Sequence, residues 1–357
     1  MQDAFWKGKR VLITGHTGFK GGWLSLWLTL KGAEIFGYAL DPPTHPSFFS
    51  ECHLDGRIRS ITGDIRDLNQ FQSVVNQAEP EIVIHMPAQA LVRLSYEDPV
   101  TTYTTNIIGT VNVLEAVRQC PSVKTVLIIT SDKCYENREW HWGYREIDPM
   151  GGHDPYACSK GCAELITASY RNSFFPATAY QKHGVALASA RAGNVIGGGD
   201  WAQDRLIPDI FQAVLAGNAV KIRYPAAVRP WQHVLDPLQG YLSLLERLHR
   251  DGSDFAEGWN FGPTDANCQP VSQVLANLKR LLGDRITWSV DEKQHPHEAA
   301  FLKLDCSKAY HRLNWSPKLD LPTALEWTAT WYLAHEQGDD VARLSEKQIQ
   351  RYEELEG

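Results

Sequence analysis

The sequence predicts an α/β fold: an open, doubly wound parallel sheet with helices on both faces, and a smaller α/β domain beside it. Three observations support this prediction. An apolar run at residues 11–13 leads into three spaced glycines and then into a helix-length apolar segment. Apolar runs of strand length alternate with predicted helices through the first half of the chain. At 357 residues the chain exceeds one core of ordinary size, which predicts a second domain.

The glycine turn contains Gly15, Gly18 and Gly21 in the spacing G-x-x-G-x-x-G. Because glycine lacks a Cβ and tolerates positive φ, the chain can turn tightly and bring backbone N–H groups against a pyrophosphate. The ordinary dinucleotide fingerprint is G-x-G-x-x-G, so the glycines alone leave a simple turn open as the alternative. The predicted helix over residues 23–30, closed by Gly32, favours a Rossmann-type phosphate-binding turn.

The second predicted strand, residues 34–40, ends at Asp41, twenty residues past Gly21. A carboxylate at this place would accept hydrogen bonds from the adenosine ribose, and its charge would repel a 2′-phosphate. The position therefore favours NAD over NADP. A turn aspartate before Pro42 is the alternative.

The third predicted strand, residues 57–62, is followed by Asp64 and Ile65. Ligands of open α/β sheets lie outside the carboxyl ends of the strands, so Asp64 could bind the adenine amino group while Ile65 packs on the ring. The interpretation of Asp64 as the cap of a helix at 68–77 is equally open.

A strand from residue 81 to His85 precedes a loop of small residues that lets the backbone pass close to a cofactor. The next helix runs from Asp98 to about Cys120 and contains Asn106 and Gly109. Both residues lower helix propensity, which predicts that Asn106 reaches back to hold a loop at the site.

A buried strand at residues 123–130 delivers Ser131, Asp132 and Lys133 to the same sheet edge as the glycine turn. Three adjacent polar side chains at that edge indicate chemistry rather than packing.

Asp154 and Pro155 predict the N-cap and first residue of a helix that carries Tyr156 and Lys160 one turn apart on one face. A nearby ammonium lowers a phenol pKa from about 10 towards neutrality, so the tyrosine could act as a base. Such a pair is common on surfaces, but here it follows a glycine turn and a strand that ends in a hydroxyl residue.

The second half predicts the smaller domain. A glycine-rich loop at 193–199 could wrap a diphosphate. Asn194, Arg205 and Arg229 could bind the oxygens of that diphosphate. The alternative is that the two arginines are ordinary surface residues. Asn260 is predicted to face the same ligand. The predicted elements are helices at 206–217, 235–249, 271–282 and 321–335, strands near Val220 and Ile286, and a surface helix beyond Gly338. We assign residues 1–190 to a cofactor-binding domain with a return segment near 229–250, and residues 191–357 mainly to a substrate domain.

Composition narrows the class of protein. A net charge of −7 argues against nucleic-acid or anionic-membrane partners. No segment approaches the roughly 18 uninterrupted apolar residues of a membrane span, and residues 1–7 lack a signal-peptide pattern, which predicts a cytoplasmic protein. Seven cysteines, an odd number, indicate reduced thiols. Cys158 and Cys162 lack partner ligands, so no metal site is predicted.

Together these residues resemble the extended branch of the short-chain dehydrogenase/reductase superfamily, which contains the sugar-nucleotide dehydratases and epimerases. The resemblance covers the whole chain. It rests on Thr14-Gly15-x-x-Gly18-Phe19-x-Gly21, Asp64-Ile65-Arg66-Asp67, His85-x-x-Ala88, Asn106-x-x-Gly109-Thr110, Ser131 and Tyr156-x-x-x-Lys160. Longer runs at 131–140, 193–201 and 229–234 are similar to the 4,6-dehydratases of this branch.

The resemblance implies a lyase with tightly bound NAD that oxidises CDP-glucose at C4, removes water across C5 and C6, and returns the hydride to C6. It implies that Tyr156 takes the C4 hydroxyl proton, Ser131 hydrogen-bonds that oxygen, Lys160 lowers the tyrosine pKa and Asp132 protonates the leaving hydroxyl. The implied NAD contacts are Gly15, His16, Thr17, Gly18, Phe19, Lys20, Gly21, Asp41, Asp64, Ile65, His85, Ala88, Gln89, Asn106, Tyr156 and Lys160. The implied substrate contacts are Ser131, Asn194, Arg205, Leu206, Arg229 and Asn260.

Lys133 departs from the commoner dehydratase pattern, in which glutamate follows the aspartate and removes the C5 proton. A neutral lysine could replace it, or a charged lysine could stabilise the enolate. A 4-epimerase and a non-catalytic NAD-binding sensor are the alternative functions. The resemblance also implies a homodimer joined by helices 99–119 and 155–172, and a role in deoxysugar supply for the O-antigen of lipopolysaccharide.

Overall fold

The computed structural model describes residues 3–291 and 301–355. The strands are β1 Arg10–Thr14, β2 Glu34–Ala39, β3 Arg59–Thr62, β4 Ile82–His85, β5 Thr125–Ile129, β6 Ala186–Ala192, β7 Val195–Ile196, β8 Val220–Ile222, β9 Val228–Pro230, β10 Gln232–His233, β11 Gly258–Phe261, β12 Cys268–Pro270 and β13 Trp288–Val290. The helices are α1 Asp3–Trp6, α2 Phe19–Leu30, α3 Phe48–Glu51, α4 Leu68–Ala78, α5 Val92–Glu97, α6 Pro99–Tyr103, α7 Gly109–Arg118, α8 Pro155–Ser173, α9 Tyr180–His183, α10 Leu206–Leu215, α11 Leu235–Asp251, α12 Val271–Leu282, α13 Ser307–Leu313, α14 Leu321–Gln337 and α15 Val341–Glu354.

Seven strands form the main sheet, in the order β11-β6-β5-β4-β1-β2-β3, and all neighbours are parallel. The chain runs outward from β1 through β2 to β3 and then crosses back to β4, so the strand order reverses between β1 and β4. That reversal is the switch point at which open α/β sheets bind ligands. The predicted doubly wound parallel sheet is confirmed.

The sheet is stable because both of its faces are covered. Val11, Leu12 and Ile13 of β1 are fully buried, and successive side chains join two different apolar clusters, one on each face. This is why the strands appear in the sequence as continuous apolar runs.

Strand β11 comes from the second half of the chain and pairs with β6. The region assigned to the second domain thus also contributes to the main sheet, and α11 packs on the same sheet. The domain division stays a prediction, and its second part includes residues 292–300, which lie outside the described residues. Short two-stranded pairs, β7 with β10, β8 with β13 and β9 with β12, surround the sheet edge.

Most predicted elements lie within two residues of their observed bounds; β13 begins two residues after Ile286. The last helix, α15, differs from the prediction of a surface helix. Ile349 and Tyr352 on one of its faces are buried, and the Tyr352 hydroxyl donates to Asp236 Oδ1 at 2.8 Å. The charged residues that suggested a surface helix occupy only its other face. No helix in the described ranges combines the length and apolar character needed to cross a membrane.

Candidate active site

The glycine turn lies at the switch point. Gly15 has a φ of +78°, and a Cβ there would lie 2.6 Å from the backbone nitrogen of Pro87 in the loop after β4. A Cβ at Gly21 would lie 2.2 Å from Gly15 O. Side chains at either position would therefore separate the turn from α2 and from the β4 loop. The N-terminus of α2, which begins after Gly18, lies directly behind the turn, so this cradle fits a dinucleotide pyrophosphate.

Asp41 follows β2 beside this turn. Thr17 Oγ1 donates to Leu40 O at 2.9 Å, which ties the end of β2 to the glycine turn and leaves the Asp41 side chain exposed. The ribose role predicted for Asp41 stays a prediction.

Asp64 accepts hydrogen bonds from the Arg66 guanidinium at 2.9 and 3.0 Å, and these bonds lower the pKa of its carboxyl group. The N-cap of α4 is Asp67, which accepts from Gln70 N at 3.0 Å, so the alternative role of Asp64 as that cap is wrong. Ile65 is buried and packs close to Gly109.

Two of the predicted cofactor residues, His85 and His16, have side-chain partners inside the fold. His85 bonds through Nδ1 to Thr14 Oγ1 at 2.9 Å and through Nε2 to Thr110 Oγ1 at 3.3 Å. His16 Nε2 lies 2.7 Å from Ser60 Oγ. Both rings are buried, which lowers the pKa of His85 to about 3 and of His16 to about 4. The side chains hold β1, β3 and β4 in place, because buried neutral imidazole needs internal partners, and the NAD contacts of the two residues stay predictions.

Asn106 holds the loop after β4, as the sequence predicts. Its Oδ1 accepts from Gln89 N at 2.9 Å, and its Nδ2 donates to Gln89 O at 3.1 Å and to Ser159 Oγ at 2.8 Å. Residues Thr104–Ile108 form a π-helical turn between α6 and α7, which places the amide at the loop. The Gln89 side chain is bonded to Leu91 and Thr102 and so shapes the loop, and its predicted NAD contact stays a prediction.

The five predicted catalytic residues line one open cavity of about 320 Å³. Ser131, Asp132 and Lys133 follow β5, and Tyr156 and Lys160 lie on the first turns of α8. Ser131 Oγ donates to Asp132 Oδ1 at 2.9 Å, and Lys133 Nζ lies 6.0 Å from the centre of the Tyr156 ring. The residues after β5 and the first turns of α8 thus line the same cavity, which confirms the prediction that they meet.

The electrostatics of Tyr156 are set mainly by burial. Burial raises the pKa of its hydroxyl to about 12, although Ser131 and the charge of Arg205 oppose the rise. Burial also lowers the pKa of Lys160 to about 8, and the Lys160 ammonium donates to Ile129 O at 3.2 Å. In this arrangement desolvation outweighs the nearby charges at Tyr156, and the lowering of its pKa by Lys160 stays a prediction.

Asp132 is buried beside Ser131 and Lys133. It is 3% exposed, and burial raises the pKa of its carboxyl group against the lowering effects of Lys133 and Ser131. A buried carboxyl group that retains its proton can donate it. Lys20 lies in the same cavity, where burial, Lys160 and Arg205 lower its pKa to about 7.

Four of the remaining predicted substrate residues also line the cavity: Asn194, Arg205, Leu206 and Arg229. Arg205 Nη1 donates to Asp200 Oδ2 at 3.0 Å. Asn260 does not line this cavity. It is fully buried in β11 and donates from Nδ2 to the carbonyls of Tyr144 and Asp305, so its assignment to the substrate is corrected to a structural role.

Sequence reasoning missed an ionic cluster at the cavity. Asp204 accepts from Arg93 Nη1 at 2.9 Å and from Arg223 Nη1 at 3.3 Å, and all three residues line the cavity. Asp204 has a φ of +61°, a conformation that Asp tolerates better than most residues. The partners are 111 and 19 residues away in the chain, and no local pattern links them.

A glycine turn lies at the switch point of a parallel sheet, and Ser131, Tyr156 and Lys160 line the cavity beside it. This combination is typical of the short-chain dehydrogenase/reductase superfamily, including its extended branch. A family profile described as GDP-mannose 4,6 dehydratase matches residues 12–328. The chain belongs to this family of nucleotide-sugar dehydratases.

Individual relatives agree with this assignment. The chain is 54% identical to the CDP-glucose 4,6-dehydratase of Salmonella typhimurium over 348 residues, 98% of this chain and 97% of that protein. The fold matches an epimerase of Methanothermobacter thermautotrophicus with a TM-score of 0.80 at 21% identity, covering 94% of this chain and 95% of the other. It also matches the dTDP-glucose 4,6-dehydratase of Bacillus anthracis in complex with NAD, with a TM-score of 0.74 at 21% identity, covering 94% and 100%.

Proposed function

We propose that this protein is an NAD-dependent lyase that converts CDP-glucose to CDP-4-dehydro-6-deoxyglucose and water. The observation that carries the proposal is the buried Asp132 beside Ser131 and Tyr156 in one cavity. A proton donor next to a C4 oxidation site is what an elimination at C6 requires. The 54% identity to a CDP-glucose 4,6-dehydratase supports the choice of sugar nucleotide.

The cofactor site is the glycine cradle. Its backbone N–H groups would hold the NAD pyrophosphate, Asp41 the adenosine ribose, and Asp64 with Ile65 the adenine. NAD bound there supplies the hydride acceptor and donor for the reaction. Lys160 and Tyr156 lie at the cavity end of this site, where they can reach the second ribose.

At the sugar, Tyr156 and Ser131 act on the C4 oxygen. Tyr156, in its phenolate form, takes the C4 hydroxyl proton and becomes the phenol, and the Ser131 hydroxyl holds the oxygen in place. A ketone at C4 acidifies the C5 proton. Asp132 then donates its proton to the C6 hydroxyl, which leaves as water.

Lys133 lies beside Asp132 and acts at the same stage. Its role there is either removal of the C5 proton in the neutral form or stabilisation of the enolate in the charged form, with another group or water taking the C5 proton in the second case. Both roles follow C4 oxidation.

The test of the function is incubation of the protein and NAD with CDP-, UDP-, GDP- and dTDP-glucose, followed by mass spectrometry of the sugar nucleotides. We expect loss of water from CDP-glucose in preference to the others. A 4-epimerase would give a product of unchanged mass, and an NAD-binding sensor would give no product with any substrate. Asp132 favours the dehydratase, because epimerisation needs no acid at this position.

We further propose a homodimer formed by the exposed faces of α6, α7 and α8. Val100 and Leu165 on these helices are 70% and 60% exposed, and Ile108 and Phe174 add to the apolar surface. Seven free cysteines support a reducing cytoplasm. The product class, a 4-keto-6-deoxy sugar nucleotide, supports a role in deoxysugar supply for O-antigen lipopolysaccharide.

A further inference from the structure

The turn that carries the proposed acid has weak internal hydrogen bonds. In this turn, Asp132–Cys134, Cys134 N donates to Ser131 O at 3.2 Å and Tyr135 N donates to Asp132 O at 3.5 Å. These distances are at or beyond the long end of the usual range for N–H···O bonds. Gly151 N also donates to Cys134 O at 2.9 Å, and Lys133 N donates to Ser131 Oγ at 3.3 Å, so the orientation of the turn depends on residues outside it, including those at its two ends.

Both ends are attached to one buried ion pair. Thr130, before the turn, donates its hydroxyl to the Glu164 carboxylate. Arg191 donates from Nη2 to Glu164 Oε2 at 2.8 Å and from Nη1 to the hydroxyl of Tyr135, after the turn, at 2.6 Å. Arg191 and Glu164 are each 4% exposed, so these charge-assisted bonds are protected from water.

Tyr135 is held from its other side as well. Its hydroxyl donates to Asn260 Oδ1 at 2.7 Å, and Asn260 in turn holds the carbonyls of Tyr144 and Asp305. The Tyr135 ring stacks on the ring of Tyr144, with centres 5.2 Å apart. The residue after the turn is therefore fixed to β6 and β11 together.

We propose that Thr130 and Tyr135 are positioning residues for the loss of water, an inference that rests on the proposed function. Their hydroxyls set the orientation of the acid-bearing turn through the Glu164–Arg191 pair. Glu164 lies on α8 as well, eight residues after Tyr156, but α8 keeps its capping Asp154 and its backbone hydrogen bonds when either hydroxyl is removed, so Tyr156 stays in place. Loosening either end of the turn therefore slows loss of water more than it slows C4 oxidation.

The test uses Tyr135→Phe and Thr130→Val, which remove one hydroxyl each and keep the side-chain shape. Each variant is mixed with NAD and CDP-glucose, quenched at intervals and analysed by mass spectrometry. Three sugar nucleotides are resolved: substrate, the C4 ketone lacking two hydrogens, and the product lacking water. We expect ketone formation within about twofold of the parent and loss of water slowed roughly tenfold or more, since small misplacement of a catalytic group costs this much. The ketone then accumulates.

Tyr352→Phe is the matched control, because it also removes a buried hydroxyl bond, to Asp236, and does not line the cavity. It should leave the ratio of ketone to product as in the parent. Equal slowing of both steps in Tyr135→Phe and Thr130→Val, or loss of the folded state in both, would show that the network only stabilises the fold. A parent enzyme that removes no water from CDP-glucose would instead refute the proposed function.

Discussion

At the scale of single residues, burial and nearby charge have opposite effects on the pKa of Tyr156. A phenol with a pKa of about 12 retains its proton at neutral pH, and Arg205 is the cation that most lowers this value. The proposed base is thus ionised only to a small degree before substrate binds. Its rate contribution should rise with pH, because the phenolate is the reactive form.

Tyr156→Phe should remove this base without disturbing α8, since only the hydroxyl is lost. We expect C4 oxidation to fall by at least about 10²-fold, the usual loss on removal of a general base. The increase of the parent rate with pH should also disappear. Ketone formation measured across a pH series tests both points, and near-normal turnover with bound NAD would contradict the assignment.

Asp41 is the residue proposed to determine the choice of cofactor. Its exposed carboxylate can accept both ribose hydroxyls but repels a 2′-phosphate. Asp41→Ala should weaken NAD binding and lower the preference for NAD over NADP, as measured by tryptophan fluorescence titration. If the variant keeps the parent's ratio of the two dissociation constants, Asp41 is only a turn residue.

Lys133 acts after C4 oxidation in either of its proposed roles. Lys133→Ala should therefore still form the C4 ketone from CDP-glucose, but exchange little C5 hydrogen with deuterated water. Asp132→Asn should also pass oxidation and stop at the loss of water. A folded Lys133→Ala variant that forms no ketone would place Lys133 in the oxidation step or in substrate binding.

At the scale of elements, the N-cap of α8, Asp154, lies two residues before the proposed catalytic Tyr156. Asp154 accepts from Ala157 N at 2.8 Å and so satisfies an amide at the N-terminus of the helix that carries Tyr156. Asp320 does the same for α14, where it accepts from Thr323 N at 2.9 Å. The two caps have the same chemistry, but only one precedes a proposed catalytic residue.

Asp154→Ala and Asp320→Ala should each lower the free energy of unfolding by about 1 kcal/mol, the usual value of an N-cap. Chemical denaturation measures this loss. Only Asp154→Ala should also slow C4 oxidation, because Tyr156 lies in the first turn of its helix. Equal rates in the two variants would show that the cap does not position Tyr156.

The parts of the site that could be predicted are those with a local cause. The glycine turn, the Asp154 cap and the i, i+4 pair are each encoded within a few residues, and the strands are encoded by their apolar runs. The pKa of Tyr156 could not be predicted, because it depends on desolvation by residues from distant segments. Asn260 was misassigned for the same reason, since its partners Tyr144 and Asp305 are far away in the chain.

At the scale of the whole molecule, the apolar surface of α6, α7 and α8 should decide the oligomeric state. Leu165→Glu places a charge in this proposed interface and should shift the protein to monomer at concentrations where the parent is dimeric. Sedimentation velocity measures the change. Ile147→Glu is the control, because Ile147 is 84% exposed in a loop outside these helices and should leave the dimer intact. Equal masses for the two variants would contradict the proposed interface.

The pairing of β11 with β6 affects how the chain folds as it is synthesised. All residues of the glycine cradle and of the Ser, Tyr and Lys set have been made by residue 160, but β6 gains its outer neighbour only at Gly258–Phe261. Until then β6, whose residues are all buried in the finished protein, is an open edge, which favours pairing with other nascent chains. Vectorial folding from the ribosome therefore leaves the sheet unfinished for about a fifth of the chain, between β6 and β11, and a fragment ending at the predicted domain boundary would retain this aggregation-prone edge.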